Sequence, residues 1–274
     1  MSDELKLLTD IKKLSRGLYL QLVFECKLLD DAIVRSNEPE EVLSYSYETL
    51  GNRFIVPWRK FKGKLRRLVM EQQRQFGIAP ECHLRENLCM RCPACLMFGG
   101  TGETSQTKAG YNLLSRVLGE TLISRLPAGD IHSLTANAVD EEDLTTGQAL
   151  MTTMLVPAET SFLGVLTLRD PTRQLAAVLV DNLSRLTRLG ASTREWGRCR
   201  TSILGYVISD RETLSAYDLA ALKTEGIATK VSALEALGLE LKPKENLEAL
   251  NTAVGKLLPG KENTTKAGAT ARKP

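Results

Sequence analysis

Four cysteines, Cys82, Cys89, Cys92 and Cys95, fall within fourteen residues as C-x6-C-x2-C-x2-C. They lie in a stretch, 77–110, with neither helical nor strand periodicity, and so with no face to lay on a core. Such a segment needs a local staple. Zinc takes four soft or borderline ligands in a tetrahedron, and thiolates from a short loop can supply them. Four protein ligands leave no open position, so the spacing predicts a structural zinc site and not a catalytic one. Two other readings stand beside it: unrelated thiols, and a site in which His83 displaces one cysteine. Cys26 and Cys199 stand alone in apolar, strand-like contexts and read as buried thiols. Six cysteines would suit disulfides in a secreted protein. Met1-Ser-Asp-Glu-Leu-Lys, however, is too polar and acidic for a signal peptide, and the clustering favours metal in a reducing cytoplasm.

The 274 residues suffice for one large domain or two small ones, and 43% hydrophobic with 25% charged residues is ordinary for a globular protein. No segment approaches the roughly 18 uninterrupted apolar residues of a membrane helix, so no membrane partner is expected. A net charge of +3 argues little by itself; its distribution argues more. Arg59, Lys60, Lys62, Lys64, Arg66, Arg67 and Arg74 crowd one segment whose only acid is Glu71. Arg169, Arg173, Arg185, Arg188, Arg194, Arg198 and Arg200 form a second set without lysine. Acidic residues gather elsewhere, as in Asp140-Glu-Glu-Asp143.

Periodicity orders the chain. Residues 17–29 read as a first strand and 52–56 as a short one ending at Pro57. Pro57 suits a first helical position, after which Phe61, Leu65, Leu68 and Val69 recur at helical spacing. Residues 111–126 fit helix or strand, and 127–148 are polar with few apolar anchors, a long loop. Residues 149–156 and 161–168 are strands around the turn 157–160. Asp170-Pro-Thr opens a helix with Leu175, Val178, Leu179, Leu183 and Leu186 on its apolar side, stopped by Gly190, and 199–208 is another strand. This order predicts an α+β fold with a ferredoxin-like β-α-β-β-α-β core carrying a large insertion. A helical segment follows over 211–259. The basic tail 260–274 has no core to bury and reads as disordered.

Chemistry concentrates in the basic segment. Phosphates attract lysine and arginine, and a helix N-terminus adds N–H donors and a favourable dipole. A solvated helix face is the competing reading; Trp58, Phe61 and Gly63 among the charges favour nucleic acid. Gly63 costs a helix interior about 1 kcal/mol relative to alanine, a hint that something approaches the backbone there. Thr187-Arg-Leu-Gly-Ala-Ser-Thr-Arg-Glu-Trp-Gly-Arg-Cys-Arg200 sets four arginines around a tight turn, suited to phosphates and bases or to ion pairs with Glu195 or Asp181. Phe98-Gly-Gly-Thr-Gly-Glu103 lacks the G-K-[ST] of a P-loop, which disfavours nucleotide hydrolysis. His83 and His132 are the only histidines and neither sits in a recognisable nucleophile or metallohydrolase pattern, which disfavours a two-histidine ribonuclease. Asp30, Asp31 and the 140–143 run are the candidate carboxylates.

Phe54-Ile-Val-Pro-Trp-Arg-Lys-Phe-Lys-Gly-Lys-Leu-Arg66 resembles the P-x-x-x-x-K-G-x-[LI]-R motif of the backbone ("Cas-seven") subunits of crRNA-guided CRISPR effector complexes. Cys92-Pro-Ala-Cys-Leu-Met-Phe-Gly99 resembles the cysteine-containing stretch that follows it. Leu155-Val-Pro-Ala-Glu-Thr-Ser-Phe162, Leu166-Thr-Leu-Arg-Asp-Pro-Thr172 and Arg188-Leu-Gly-Ala-Ser-Thr-Arg-Glu-Trp-Gly-Arg198 resemble the type I-D member. The order and spacing of these motifs span about residues 16–208. The chain departs from the family in starting its basic motif Pro-Trp-Arg-Lys, and in the segment after residue 210.

The resemblance implies an RNA-recognition-motif-like core over 1–210, with a zinc and glycine-loop insertion at 77–110 and a thumb-like hairpin at 127–150. It implies a cytoplasmic, non-enzymatic antiviral subunit that polymerises along crRNA and presents guide bases to target. Its partners would be crRNA, target nucleic acid, neighbouring copies in a helical filament and other effector subunits. RNA-binding residues carried over or suggested by charge are Arg59, Lys60, Lys62, Lys64, Arg67, Gly190, Arg194 and Arg198. Two alternatives compete. One is a subunit that also cuts single-stranded target with a metal-dependent loop aspartate, Asp30 or Asp31. The other is a zinc-stabilised scaffold whose arginines form internal ion pairs.

Overall fold

A computed structural model describes residues 6–34, 44–84, 87–103, 105, 108–129, 132–139 and 146–258, with 132–139 and 146–154 described as backbone alone. The acidic run 140–143 and the tail 260–274 lie outside the described residues.

Strand β1 (Tyr19–Leu28) buries Leu20, Leu22, Phe24, Cys26 and Leu28 on one face and Gln21 and Val23 on the other. A strand buried on both faces belongs inside a sheet covered on both sides. β1 lies there, antiparallel to β8 (Ser161–Arg169) on one side and β9 (Cys199–Ser209) on the other. Beyond β8 come β5 (Leu122–Ser124), β3 (Gly51–Val56) and β2 (Ser44–Tyr47), while β4 (Val117–Gly119) pairs with the other half of β8. All pairings in this seven-stranded sheet are antiparallel.

Helix α1 (Trp58–Gln75) presses Phe61, Leu65 and Val69 onto the Phe24 face, with Phe61 stacked on Phe24 at 5.0 Å. Pro57 caps this helix instead of occupying its first turn. Helix α3 (Arg173–Ser184) packs on the same face, started by the Thr172 hydroxyl, which accepts from the Leu175 N–H at 3.3 Å. It stops at Ser184 and not at Gly190, which lies in the loop beyond; Leu186 is buried all the same, from that loop. Gln72 ties the two helices by donating to Asp181 and accepting from Asn182. Helix α6 (Pro243–Leu257) adds Leu247, Leu250 and Val254 to this core.

The opposite face of the sheet, with Val23, Ile123, Leu163 and Val165, is covered by α4 (Ala216–Ala220) and α5 (Thr224–Ala228). Residues 111–126 are thus strand, in two three-residue pieces. Part of the long polar stretch is also strand: β6 (His132–Val139) and β7 (Thr146–Leu155) form a two-stranded antiparallel sheet of their own. Their backbones satisfy each other, so the hairpin needs few apolar anchors. Within 77–110 a short helix, α2 (Pro93–Phe98), starts at Cys92; six residues are too few to show a period. Cys26 and Cys199 are buried free thiols, on the neighbouring strands β1 and β9. Among the described residues no helix is long and apolar enough to cross a membrane.

Candidate nucleic-acid interface

The first three turns of α1 form one wall of a groove of about 280 Å³. Arg59, Lys60, Gly63, Lys64 and Arg67 line it, at the i, i+4 spacing that stacks side chains on one helix face. The other wall is the turn Leu189–Gly190–Ala191, and Val34 and Val56 contribute the floor. None of these lining residues is acidic. Lys60 Nζ donates to the Val34 carbonyl at 2.6 Å, fixing helix to floor. The 189–191 turn is fixed to the same segment, because the Ala191 N–H donates to the Ile33 carbonyl at 2.7 Å. Gly190 has φ +101°, and a Cβ there would stand 2.5 Å from the Ile33 oxygen, so only glycine allows this seam. At Gly63 the opposite holds: a side chain would meet no protein atom within 4 Å. No packing within the protein requires that glycine.

The remaining basic candidates point elsewhere. Lys62 lies on the far side of α1, where Nζ donates to Ser115 Oγ at 2.9 Å; burial, and then the Arg66 charge, pushes its pKa down. Arg194 and Arg198 are exposed on the 188–198 loop but do not line the groove. Asp30 Oδ1 accepts the Arg198 N–H at 2.6 Å, and Asp31 Oδ1 accepts the Ala158 N–H at 2.8 Å. Each carboxylate therefore braces a loop with one of its oxygens.

The four cysteines converge behind α1, with all four sulfurs within 4.8 Å of one another. Cys82 Sγ lies 3.7 Å from both Cys92 Sγ and Cys95 Sγ. Tetrahedral zinc with bonds of about 2.3 Å sets its sulfurs about 3.8 Å apart, so the set fits that ion. Backbone N–H groups point at the sulfurs: Cys89 N at Cys82, Arg91 N at Cys89 and Cys95 N at Cys92, each at 3.4 Å. Hydrogen bonds among the four thiols pull them in opposite directions, Cys95 and Cys89 down and Cys82 and Cys92 up. A thiolate is the form that binds metal. His83 is exposed and its Nδ1 lies 3.1 Å from the Glu81 carbonyl, outside the cluster.

Sequence reasoning missed Gln73 and the contact of Arg66 with the cysteines. Gln73 is wholly buried, with its amide on Cys92 and Ala94; a glutamine within a charged helix carries no sign of that. Arg66 reaches Cys95 Sγ at 4.0 Å, and the side of α1 it shares with Lys62 was the available signal.

A family model described as Csc2 Crispr matches residues 41–261. Among solved structures, the crystal structure of Thermofilum pendens Csc2 is similar with a TM-score of 0.58 at 20% identity, over 90% of this chain and 83% of that one. A chain of a Type IV-B CRISPR complex is similar with a TM-score of 0.50 at 16% identity, over 67% of this chain and 90% of that one. At these identities the likeness is one of fold. No curated protein matches.

Proposed function

The chain belongs to the Csc2 CRISPR family, and from that premise we propose that it is a crRNA-binding backbone subunit of a type I-D-like effector complex. The observation that carries this reading is the groove, in which Arg59, Lys60, Lys64 and Arg67 face Gly190 with no acid among the lining residues. Cations and the α1 N-terminus would hold RNA phosphates while guide bases stay free to pair with target. The space beside Gly63 would admit the RNA backbone close to the helix. Lys62, Arg194 and Arg198 would act outside the groove, on further phosphates or on neighbouring subunits.

In this reading the strand order β5-β8-β1-β9, with α1 and α3 on one face, is a ferredoxin-like, RNA-recognition-motif-like core within 1–210. The β6–β7 hairpin is the thumb-like insertion, and 77–110 is the metal-bearing one. Cys82, Cys89, Cys92 and Cys95 would hold a structural zinc, which neutralises the thiolates and fixes the loop. The protein would work in the cytoplasm with crRNA, target nucleic acid, neighbouring copies of itself and other effector subunits. Asp30 and Asp31 would serve loop architecture, and no catalysis is assigned to the chain.

The test is binding of single-stranded RNA across a salt series. Arg59→Ala, Lys64→Ala and Arg67→Ala together should weaken binding at least tenfold and flatten the log–log salt slope by about 2, at about 0.7 per lost phosphate contact. Gly63→Ala should leave the helix as stable or more so, yet weaken the same binding. Unchanged affinity and slope in the triple variant would remove the groove from the RNA path.

A further inference from the structure

Helix α1 has two working sides. Residues 59, 60, 63, 64 and 67 line the groove. Arg66 and Gln73 face the cysteines instead. Gln73 is fully buried, about three turns beyond Gly63, and its amide makes two bonds to one cysteine knuckle. Nε2 donates to Cys92 Sγ at 3.3 Å, and Oε1 accepts the Ala94 N–H at 3.3 Å. Arg66 brings Nη2 within 4.0 Å of Cys95 Sγ, while its Nε is buried without a hydrogen-bond partner. Both contacts join the short helix α2 to α1. The knuckle residues Cys92, Ala94 and Cys95 are themselves buried, so their position is set by what they touch.

We propose that Gln73, assisted by Arg66, is a positioning residue that couples metal loading of the four-cysteine site to the shape of the groove. The coupling rests on the RNA reading of the groove; the metal half does not. Donors to a ligating thiolate draw off part of its charge and orient it, and such outer partners typically alter metal affinity 10–100-fold. The glutamine amide also reads the knuckle's geometry. If the knuckle shifts, Gln73 loses both partners inside a buried site, a loss that moving α1 with the knuckle would relieve. A helix is stiff along its axis, so a shift at Gln73 is carried to Gly63 and Lys64. The metal would then act at a distance on nucleic-acid binding, without touching the ligand.

The experiment uses the full chain with Gln73→Met and Gln73→Glu, loaded with zinc or cobalt. Three quantities are measured: metal affinity against a chromogenic chelator, the sulfur-to-cobalt charge-transfer band, and affinity for a fluorescein-labelled oligouridine strand across salt. Loss of the N–H donor should lower metal affinity about tenfold and move the charge-transfer band to longer wavelength. RNA affinity should fall several-fold with an unchanged salt slope, because Gln73 is neutral and touches no phosphate. Gln73→Glu keeps the side chain's shape but puts an acceptor where the donor was; it should fail as Gln73→Met does. Wild-type metal affinity and band position in both variants would overturn the positioning role. Weakened metal binding with wild-type RNA affinity would overturn the coupling. Zinc-loaded wild-type protein that binds no oligouridine would overturn the RNA reading and the coupling with it, leaving the metal measurements to judge Gln73 by themselves.

Discussion

On one face of the sheet Leu20, Leu22, Phe24, Phe162 and Leu166 meet the apolar sides of α1, α3 and α6; on the other, Val23, Leu163 and Val165 meet two helices of five residues each. The first face is held by buried apolar area, which is strong and undirected. The second has a smaller apolar cluster, around Val23, Leu163, Val165, Leu219 and Ile227, supplemented by directed bonds. Gln21 Oε1 accepts from the N–H groups of Thr213 and Leu214 at 2.7 and 2.9 Å, and Nε2 donates to the Leu214 carbonyl at 2.9 Å. Thr167 donates to Glu212 at 3.1 Å. The groove stands on the first face, because its long wall is α1. The second face can therefore open while the groove keeps its shape.

Phe61→Ala should produce the largest effect. The ring is fully buried and stacks between Phe24 at 5.0 Å and Trp58 at 5.9 Å. Truncating a buried phenylalanine costs about 3–5 kcal/mol, and here the loss unseats the helix that carries the groove. Chemical denaturation should show the whole molecule shifted to a lower midpoint, with RNA binding lost over the same range. A Phe61 variant no less stable than one altered on the opposite face would break the asymmetry.

The apolar face is also the part of the fold that can be read from sequence. The apolar runs of β1 and β8 and the helical spacing of Phe61, Leu65, Val69, Leu175, Val178 and Leu179 reflect burial directly. β4 and β5, with three residues each, are shorter than any period can resolve. The directed bonds of the second face leave no such trace, since a glutamine in a strand looks the same whether it staples a segment or meets water. The candidate site divides similarly. The basic crowd on α1, the cysteine spacing and Gly190 are each legible, but Gly63 and Gly190 come to line one groove only through the tertiary fold. Lys62 and Lys64 are two apart in sequence, and the turn of the helix sends one to Ser115 and the other to the groove.

Gln21→Leu addresses the second face at similar volume. It strips partners from two N–H groups and one carbonyl, at a cost of about 1–3 kcal/mol, since water can reach only part of this site. The loss should be local. Amide exchange over 211–230 should accelerate while α1 stays protected and RNA affinity is unchanged. Uniform acceleration across the sheet would mean that the two faces open as one unit, and the contrast between them would fail.

The smallest effect should come from Glu120, beside the turn between β4 and β5. Its pKa is raised to about 7 from 4.5, mainly by burial, with Glu212 and Asp218 adding repulsion and a hydrogen bond from the Ala216 backbone opposing it. The folded protein thus holds this proton more tightly than the unfolded chain does. The resulting stabilisation is present below about pH 4.5 and is lost as pH rises through about 7. Docking of 211–230 should accordingly weaken between pH 5 and 8, by about 1 kcal/mol or less once solvent screening of a partly exposed carboxylate is allowed for. Glu120→Gln keeps the neutral form at every pH. It should flatten that dependence in amide exchange of 211–230 and tighten the segment at pH 8, with no change on the α1 face. A slope that survives in the variant would assign the pH dependence to another group and detach Glu120 from the docking of 211–230.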